Sequence, residues 1–158
     1  MSNIDNLFMK EALKEAREAF SKDEVPVGAV VVHNGKIIAR AHNQVELLKD
    51  PTAHAEMIAI TQATNYLGAK WLNDCSAYVT IEPCSMCAGA LVLARINKLF
   101  FGAEDPKTGA CGSIIDITNN KKLNHRIIVK KGILEKECSL LLSEFFKRKR
   151  KIESAKNN

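Results

Sequence analysis

Two short segments carry residue types that metal chemistry requires. One is His54-Ala55-Glu56; the other is Pro83-Cys84-Ser85-Met86-Cys87. Two cysteines three apart at a helix start lie on one face and can point at one ion. Free backbone N–H groups and the helix dipole at such a start favour thiolates. A borderline-soft ion such as Zn²⁺ accepts two thiolates and an imidazole in a tetrahedral array. Three protein ligands, His54, Cys84 and Cys87, leave a fourth position for water, which zinc acidifies toward a pKa of about 7. Glu56 is surplus as a ligand once His and two Cys are bound, and its expected role is proton transfer.

Two other readings of these residues stand beside this one. A lone Cys-x-x-Cys can be redox-active at a helix N-terminus. Cys75, Cys111 or Cys138 can complete a closed structural zinc site, although no second Cys-x-x-Cys or Cys-x-x-His is present. The odd total of five cysteines argues against a disulfide framework. Cys75 and Cys138 read as small core hydrophobes and Cys111 as filler in a Gly-containing loop.

The elements that must position these residues are legible in outline. Residues 5–20 have apolar positions at helical spacing, and Pro26 lies beyond their end. Val27–His33 and Lys36–Ala41 flank Asn34-Gly35, a strong hairpin signal. The small residues around Val27, Gly28 and Ala29 suit either a close approach to a ligand or a buried central strand. Residues 43–52 read as loop. A helix then runs from Ala53 to about Leu67, with Thr52 as its N-cap and Gly68 as its stop. A strand over 76–81 ends at Glu82-Pro83, and a helix over roughly 84–95 follows. Residues 98–102 and 126–129 read as strands, and 114–117 is ambiguous between strand and short helix. A long helix covers 135–152. Strand–helix–strand order plus a hairpin predicts a mixed sheet covered by helices.

Length and charge bound the rest. The 158 residues fit one domain spanning 1–158. Hydrophobic residues at 46% and charged residues at 26% exclude a disordered chain or a coiled coil. The net charge is +5, and +4 of it lies in the last sixteen residues, mostly in the run Lys147–Lys151. This basic helix end, at about 147–158, is equally a solvated terminus with a favourable dipole interaction or a contact for RNA phosphates. No apolar run is long enough to span a bilayer, and the first residues resemble neither a signal peptide nor a presequence, so a cytoplasmic location is expected.

The flanking residues resemble a known family. Val25-Pro26-Val27-Gly28-Ala29-Val30, the Asn43 loop, Asp50-Pro51-Thr52-Ala53-His54-Ala55-Glu56 and Tyr78-Val79-Thr80-Ile81-Glu82-Pro83-Cys84-Ser85-Met86-Cys87-Ala88-Gly89-Ala90 are part of the match. It continues through Phe101-Gly102-Ala103, Asp105, Lys107-Thr108-Gly109, Asn124-His125, Gly132-Ile133-Leu134 and Leu142-Ser143-Glu144-Phe145-Phe146. From about Leu7 to Ile152 the chain resembles the cytidine/deoxycytidylate deaminase superfamily, and most of all the bacterial tRNA-specific adenosine deaminases. Glu104 departs from the pattern, which often has a basic residue there.

The resemblance implies a three-layer α/β/α fold on a mixed sheet of about five strands with an N-terminal hairpin. It implies one Zn²⁺ per chain on His54, Cys84 and Cys87, with Glu56 shuttling protons. It places Asn43 on the target base. Val27, Ala55, Asp105, Lys107, His125, Arg148 and Arg150 are candidate substrate-binding positions beside it, and His125 reads equally as part of a polar loop. It implies a homodimer that converts adenosine to inosine at the tRNA wobble position, in an arginine-type anticodon loop. Two alternatives remain open: a zinc-dependent deaminase of a free base, nucleoside or nucleotide such as cytosine or guanine, and a zinc-stabilised RNA-binding module without catalysis. His33 reads as a solvated turn residue. His42 fits either a groove lining or a strand end.

Overall fold

The structure is a computed structural model and describes residues 2–158. The chain opens with helix α1 (Asn3–Ser21), started by Ser2, whose Oγ accepts the Asp5 N–H at 3.3 Å. Its buried stripe of Met9, Ala12, Leu13, Ala16 and Ala19 is the apolar periodicity of the sequence turned inward. Strands β1 (Gly28–His33) and β2 (Lys36–His42) form an antiparallel hairpin. Asn34 (φ 50°) and Gly35 (φ 75°) make its turn, as the Asn-Gly pair requires.

Helices α2 (Val45–Leu48) and α3 (Ala55–Leu67) follow. After them come β3 (Cys75–Ile81), α4 (Ser85–Leu93) and β4 (Lys98–Ala103). The short β5 (Ile128–Lys131) and α5 (Glu135–Lys156) complete the chain. The five strands lie in the order β2-β1-β3-β4-β5, antiparallel across β2-β1-β3 and parallel across β3-β4-β5. The mixed sheet is therefore present as expected.

Period-two alternation along the strands divides the core into two layers. Ala29, Val31, Ala77, Val79, Leu99 and Phe101 face one side, where they pack with Ala55, Ala59 and Ala63 of α3 and Ala88, Leu91 and Val92 of α4. Val30, Val32, Tyr78 and Phe100 face the other, against Met9, Ala12 and Leu13 of α1 and Cys138 of α5. Gly28 belongs to this second contact. A Cβ there would overlap the Ala12 carbonyl oxygen and lie 2.6 Å from the Ala16 nitrogen. The bare backbone at Gly28 thus lets α1 approach β1; it is not held open for a ligand.

Four local expectations need correction. Residues 114–117 form neither strand nor helix: Ile114 and Ile115 are exposed, and only an isolated bridge joins Cys111 to Asp116. The last strand begins at Ile128, two residues later than expected, because the Ile127 N–H is taken by the Thr118 carbonyl and pairing starts at Lys98 opposite Ile128. Thr52 does not cap α3. It sits in a turn closed by the Asp50 carboxylate, and His54 is the N-cap. The segment 43–52 contains α2, whose Glu46 and Leu47 N–H groups donate to the buried carboxylate of Glu24 at 2.8 Å each. No helix of the structure is long and apolar enough to cross a membrane.

Candidate active site

The site forms where α3 and α4 begin, beside the C-terminal end of β3. His54 is the N-cap of α3 and Cys84 the N-cap of α4, both extended in backbone, and Cys87 lies in the first turn of α4. Neither side chain makes an N-cap hydrogen bond, so both can turn toward each other. The His54 Nδ1 lies 3.6 Å from the Cys84 Sγ and 3.5 Å from the Cys87 Sγ. All three donor atoms fall within 4.8 Å of one another. Bond lengths of about 2.0–2.1 Å to nitrogen and 2.3 Å to sulfur at a tetrahedral angle place N and S about 3.6 Å apart. The observed separations fit that geometry.

Cys111 is not in this cluster: its thiol faces the Pro83 carbonyl oxygen at 3.9 Å. Cys75 starts β3 at the opposite end of the strand, and Cys138 lies in the second core layer. Among the described residues, no further cysteine joins the three donors, which argues against the closed-site reading.

Charge is shared tightly within the cluster. Hydrogen bonding to Cys87 and then to His54 lowers the Cys84 thiol to about 4. The Cys87 thiol is held above its ordinary value, first by Cys84 and then by burial. The hydrogen bond with Cys84 raises the His54 imidazole, and Glu56 adds to this. Glu56 is only 4% exposed, and burial raises its carboxyl. The Cys87 thiol faces its Oε2 at 3.5 Å, so a buried carboxyl reaches the cluster.

Asn43 is buried next to these groups. Its Oδ1 accepts the Ala55 N–H at 2.8 Å, which fixes the amide so that its NH₂ points the other way. Val27 is held beside it, because the Val27 carbonyl accepts the Asn43 N–H at 3.2 Å. Ala55 itself is fully buried, with its N–H committed to Asn43.

The outer residues divide. Asp105 turns its carboxylate onto its own loop, accepting from the Lys107 and Thr108 N–H groups and the Thr108 hydroxyl. Lys107 is exposed on that loop, two residues from Gly109, which bridges to Cys84. His125 is not brought to the cluster. Its Nε2 is 2.6 Å from the Ile96 carbonyl oxygen, just before β4, at the end of the parallel strands away from the site. Arg148 pairs with Asp23 at 3.2 Å and stacks over the Phe20 ring, and Lys149 joins the same carboxylate at 2.7 Å. Arg150 is exposed and makes no ion pair among the described residues. His42 ends β2 with its Nδ1 buried 3.6 Å from Glu15 on α1.

Sequence reasoning missed two buried carboxylates. Glu24 caps α2, and Glu82 accepts four hydrogen bonds from the 105–113 loop. The available signal for Glu82 was its place immediately before Pro83-Cys84. An open cleft of about 500 Å³ was also missed; His42 and Gln44, on either side of Asn43, line it together with Lys22, Glu24 and Lys149.

The family model of the MafB19-like deaminases matches residues 3–150. A tRNA-specific adenosine deaminase of Bacillus subtilis (strain 168) is 50% identical over 151 residues, which cover 96% of this chain and 94% of that protein. One from Aquifex aeolicus (strain VF5) is 55% identical over 143 residues, covering 90% of this chain and 94% of that one. The fold superimposes with a TM-score of 0.83 on a chain solved in studies of A-to-I editing by tRNA:A34 deaminases at the wobble position of transfer RNA. The two are 45% identical, over 86% of this chain and 99% of that one. With its His-Cys-Cys cluster and its mixed five-stranded sheet, the chain belongs to the MafB19-like deaminase family, among the tRNA-specific adenosine deaminases.

Proposed function

We propose that the chain hydrolyses adenosine to inosine at the wobble position of a tRNA anticodon loop, in an arginine-type tRNA, with His54, Cys84 and Cys87 holding one Zn²⁺. The observation that carries this reading is the buried Glu56 carboxyl at 3.5 Å from a cluster whose N–S spacings suit zinc, in a chain 50% identical to a tRNA-specific adenosine deaminase. A closed structural zinc site or a bare RNA-binding module has no use for that carboxyl. Bound zinc supplies a water acidic enough to attack near neutral pH.

The residues of the chain do the rest. Glu56 accepts a proton from the attacking water and returns protons to the purine ring and the departing amine, so adenosine and water become inosine and ammonia. Its burial suits this task, because a carboxyl raised from its usual value takes up a proton more readily and is better matched to proton transfer near neutral pH. Asn43 offers its NH₂ to an acceptor on the base, since its oxygen is held by Ala55. The target base must leave its stack to reach such a site, which costs less from a single-stranded loop than from a duplex.

The chain acts as one domain and as a homodimer, in the cytoplasm where tRNA is available. Helix α4 supports the dimer: it carries no charged residue, Leu93 is 79% exposed, and Gly89 opens onto free space. A helix without a polar face suits burial against a second copy. Sedimentation of the wild type and of Leu93→Glu tests this; a monomeric wild type overturns it.

Inosine mapping after incubation with total tRNA tests the activity. Inosine at a wobble position is expected, with free adenosine, cytidine and guanine turned over poorly. Efficient turnover of cytidine or guanine with tRNA untouched would replace this reading with a small-molecule deaminase.

A further inference from the structure

The segment that delivers Cys84 also carries Glu82, a carboxylate only 2% exposed. Its Oε1 accepts the Asp105 N–H at 3.1 Å and the Ser113 hydroxyl at 2.5 Å. Its Oε2 accepts the Cys111 N–H at 3.0 Å and the Ser113 N–H at 3.1 Å. One side chain therefore holds both ends of the 105–113 loop. The next two residues finish the attachment: the Pro83 carbonyl accepts the Ala110 N–H at 2.9 Å, and Cys84 forms an isolated bridge with Gly109. Gly109 lies so close that a Cβ there would run into the Glu82 carboxyl.

Such a loop is costly to hold by its own means. Residues 104–127 connect two parallel strands without a helix, and Ile114, Ile115 and Leu123 among them face water. A buried carboxylate with four donors adds a polar anchor to the few apolar contacts of this segment. Three donors are backbone N–H groups, which cannot turn round to accept, so an amide in place of the carboxylate sets an NH₂ against N–H. At the tip, the Asp105 carboxylate is spent on its own turn, which leaves the Lys107 ammonium as the cation that the loop presents.

We propose that Glu82 is a positioning residue that clamps the 105–113 loop to the metal-ligand segment and so holds Lys107 at the rim of the site, against a phosphate of the bound RNA. The inference rests on the proposed tRNA reading for its ligand and on the hydrogen-bond geometry for the clamp. Contacts to a neighbouring phosphate hold ground state and transition state alike, so the effect belongs in KM and in salt dependence, with little in kcat.

The test compares wild type, Glu82→Gln, Lys107→Ala and the double variant as metal-loaded proteins, with Ser113→Ala as a milder release of the same clamp. The RNA is an anticodon stem-loop with adenosine at the wobble position. Glu82→Gln should raise both Kd and KM about tenfold, keep kcat within about threefold and keep its metal. Amide exchange should quicken in peptides spanning 105–113 and stay unchanged in the hairpin of β1 and β2. Lys107→Ala should weaken binding and lower the salt slope by about one. Adding it to Glu82→Gln should cost nothing further, since the lysine is already misplaced. Ser113→Ala should move Kd about twofold in the same direction.

Additive effects of Glu82→Gln and Lys107→Ala, unchanged exchange in the loop, or a parallel fall in kcat and metal content would overturn the proposal. Failure of the wild type to form inosine while the binding and exchange pattern holds would sink the deaminase reading alone.

Discussion

At the C-terminal end of β3 two acidic side chains, Glu56 and Glu82, are buried, one against two thiols and an imidazole and the other under four donors. At the last turns of α5 the charges are mostly of the opposite sign and nearly all face water; Asp23 pairs with Arg148 and Lys149. The first region confines charge where few neighbours can rearrange, so proton affinities move. The second spreads charge over a helix surface, where salt screens it and each pair is worth about 0–1 kcal/mol. Confined charge of this kind suits acid–base chemistry, and spread charge suits long-range attraction of an anionic partner.

The largest effects should come from the confined region. Cys87→Ser should lose both bound metal and turnover, because oxygen is a poor substitute for one of two thiolates on a soft ion. Glu56→Ala should keep the metal and the fold and lose turnover by ~10² to 10⁴ or more, since a positioned acid–base group contributes about that much and the proposed mechanism gives Glu56 more than one transfer. Metal analysis, thermal melting and ammonia release on the same preparations separate the two variants. A Glu56→Ala protein with a near-normal rate would remove the distinction between the regions.

The spread region should respond more weakly and in a salt-dependent way. Deleting residues 147–158 is expected to weaken tRNA binding several-fold at low salt and much less at high salt, with metal content unchanged. Phe145 must be kept: it is 2% exposed and packs edge-on against Phe20. The deletion also removes the Arg148 stack on Phe20, so melting is measured alongside binding. Equal affinity and an equal salt slope would show that the basic run is only a solvated helix end.

What the sequence made legible follows the same division between local and distant causes. α1, the Asn-Gly hairpin, the Gly68 stop and the Cys-x-x-Cys face rest on neighbours a few residues apart, and all are present. α2 was invisible because its cap, Glu24, lies 22 residues away from Glu46. The Glu82 clamp spans up to 31 residues and joins a strand end to a loop with no periodicity of its own. Thr52 has the composition of an N-cap, but Asp50 claims it for a turn and the chain enters the helix two residues later, at His54. His125 sits in a polar loop like many ligand-binding histidines, yet the Ile96 carbonyl holds it at the far end of the strands.

A pair between these extremes gives the smallest and most specific effect. The Tyr78 hydroxyl donates to the Asp5 Oδ1 at 2.7 Å. Tyr78 is 4% exposed, stacked on Phe100 at 4.5 Å and tilted against Phe8, whereas Asp5 lies at the protein surface on the first turn of α1. Burial pulls the Asp5 carboxyl upward, but hydrogen bonds from Tyr78 and Ser2 outweigh it and hold the group below its ordinary value. Burial, and then the Asp5 carboxylate, pushes the phenol well above its own. Tyr78→Phe keeps the ring and its packing and removes only the bond, while water can still reach the carboxylate. The expected loss is about 1 kcal/mol near neutral pH, which is a fall in Tm of about 2–4 °C for a chain of this size. A depressed carboxyl stabilises the fold above its unfolded pKa, and that contribution disappears as pH falls through the folded value. A raised phenol stabilises it below its unfolded pKa, and that contribution disappears as pH rises through the folded value. The difference between wild type and Tyr78→Phe should therefore be full between roughly pH 4 and pH 10 and narrow outside that window on both sides. Melting curves across pH 2.5 to 8 decide the acid side of this window. A difference that stays constant down to the lowest pH would mean that the hydroxyl contributes through packing and not through the Asp5 carboxylate.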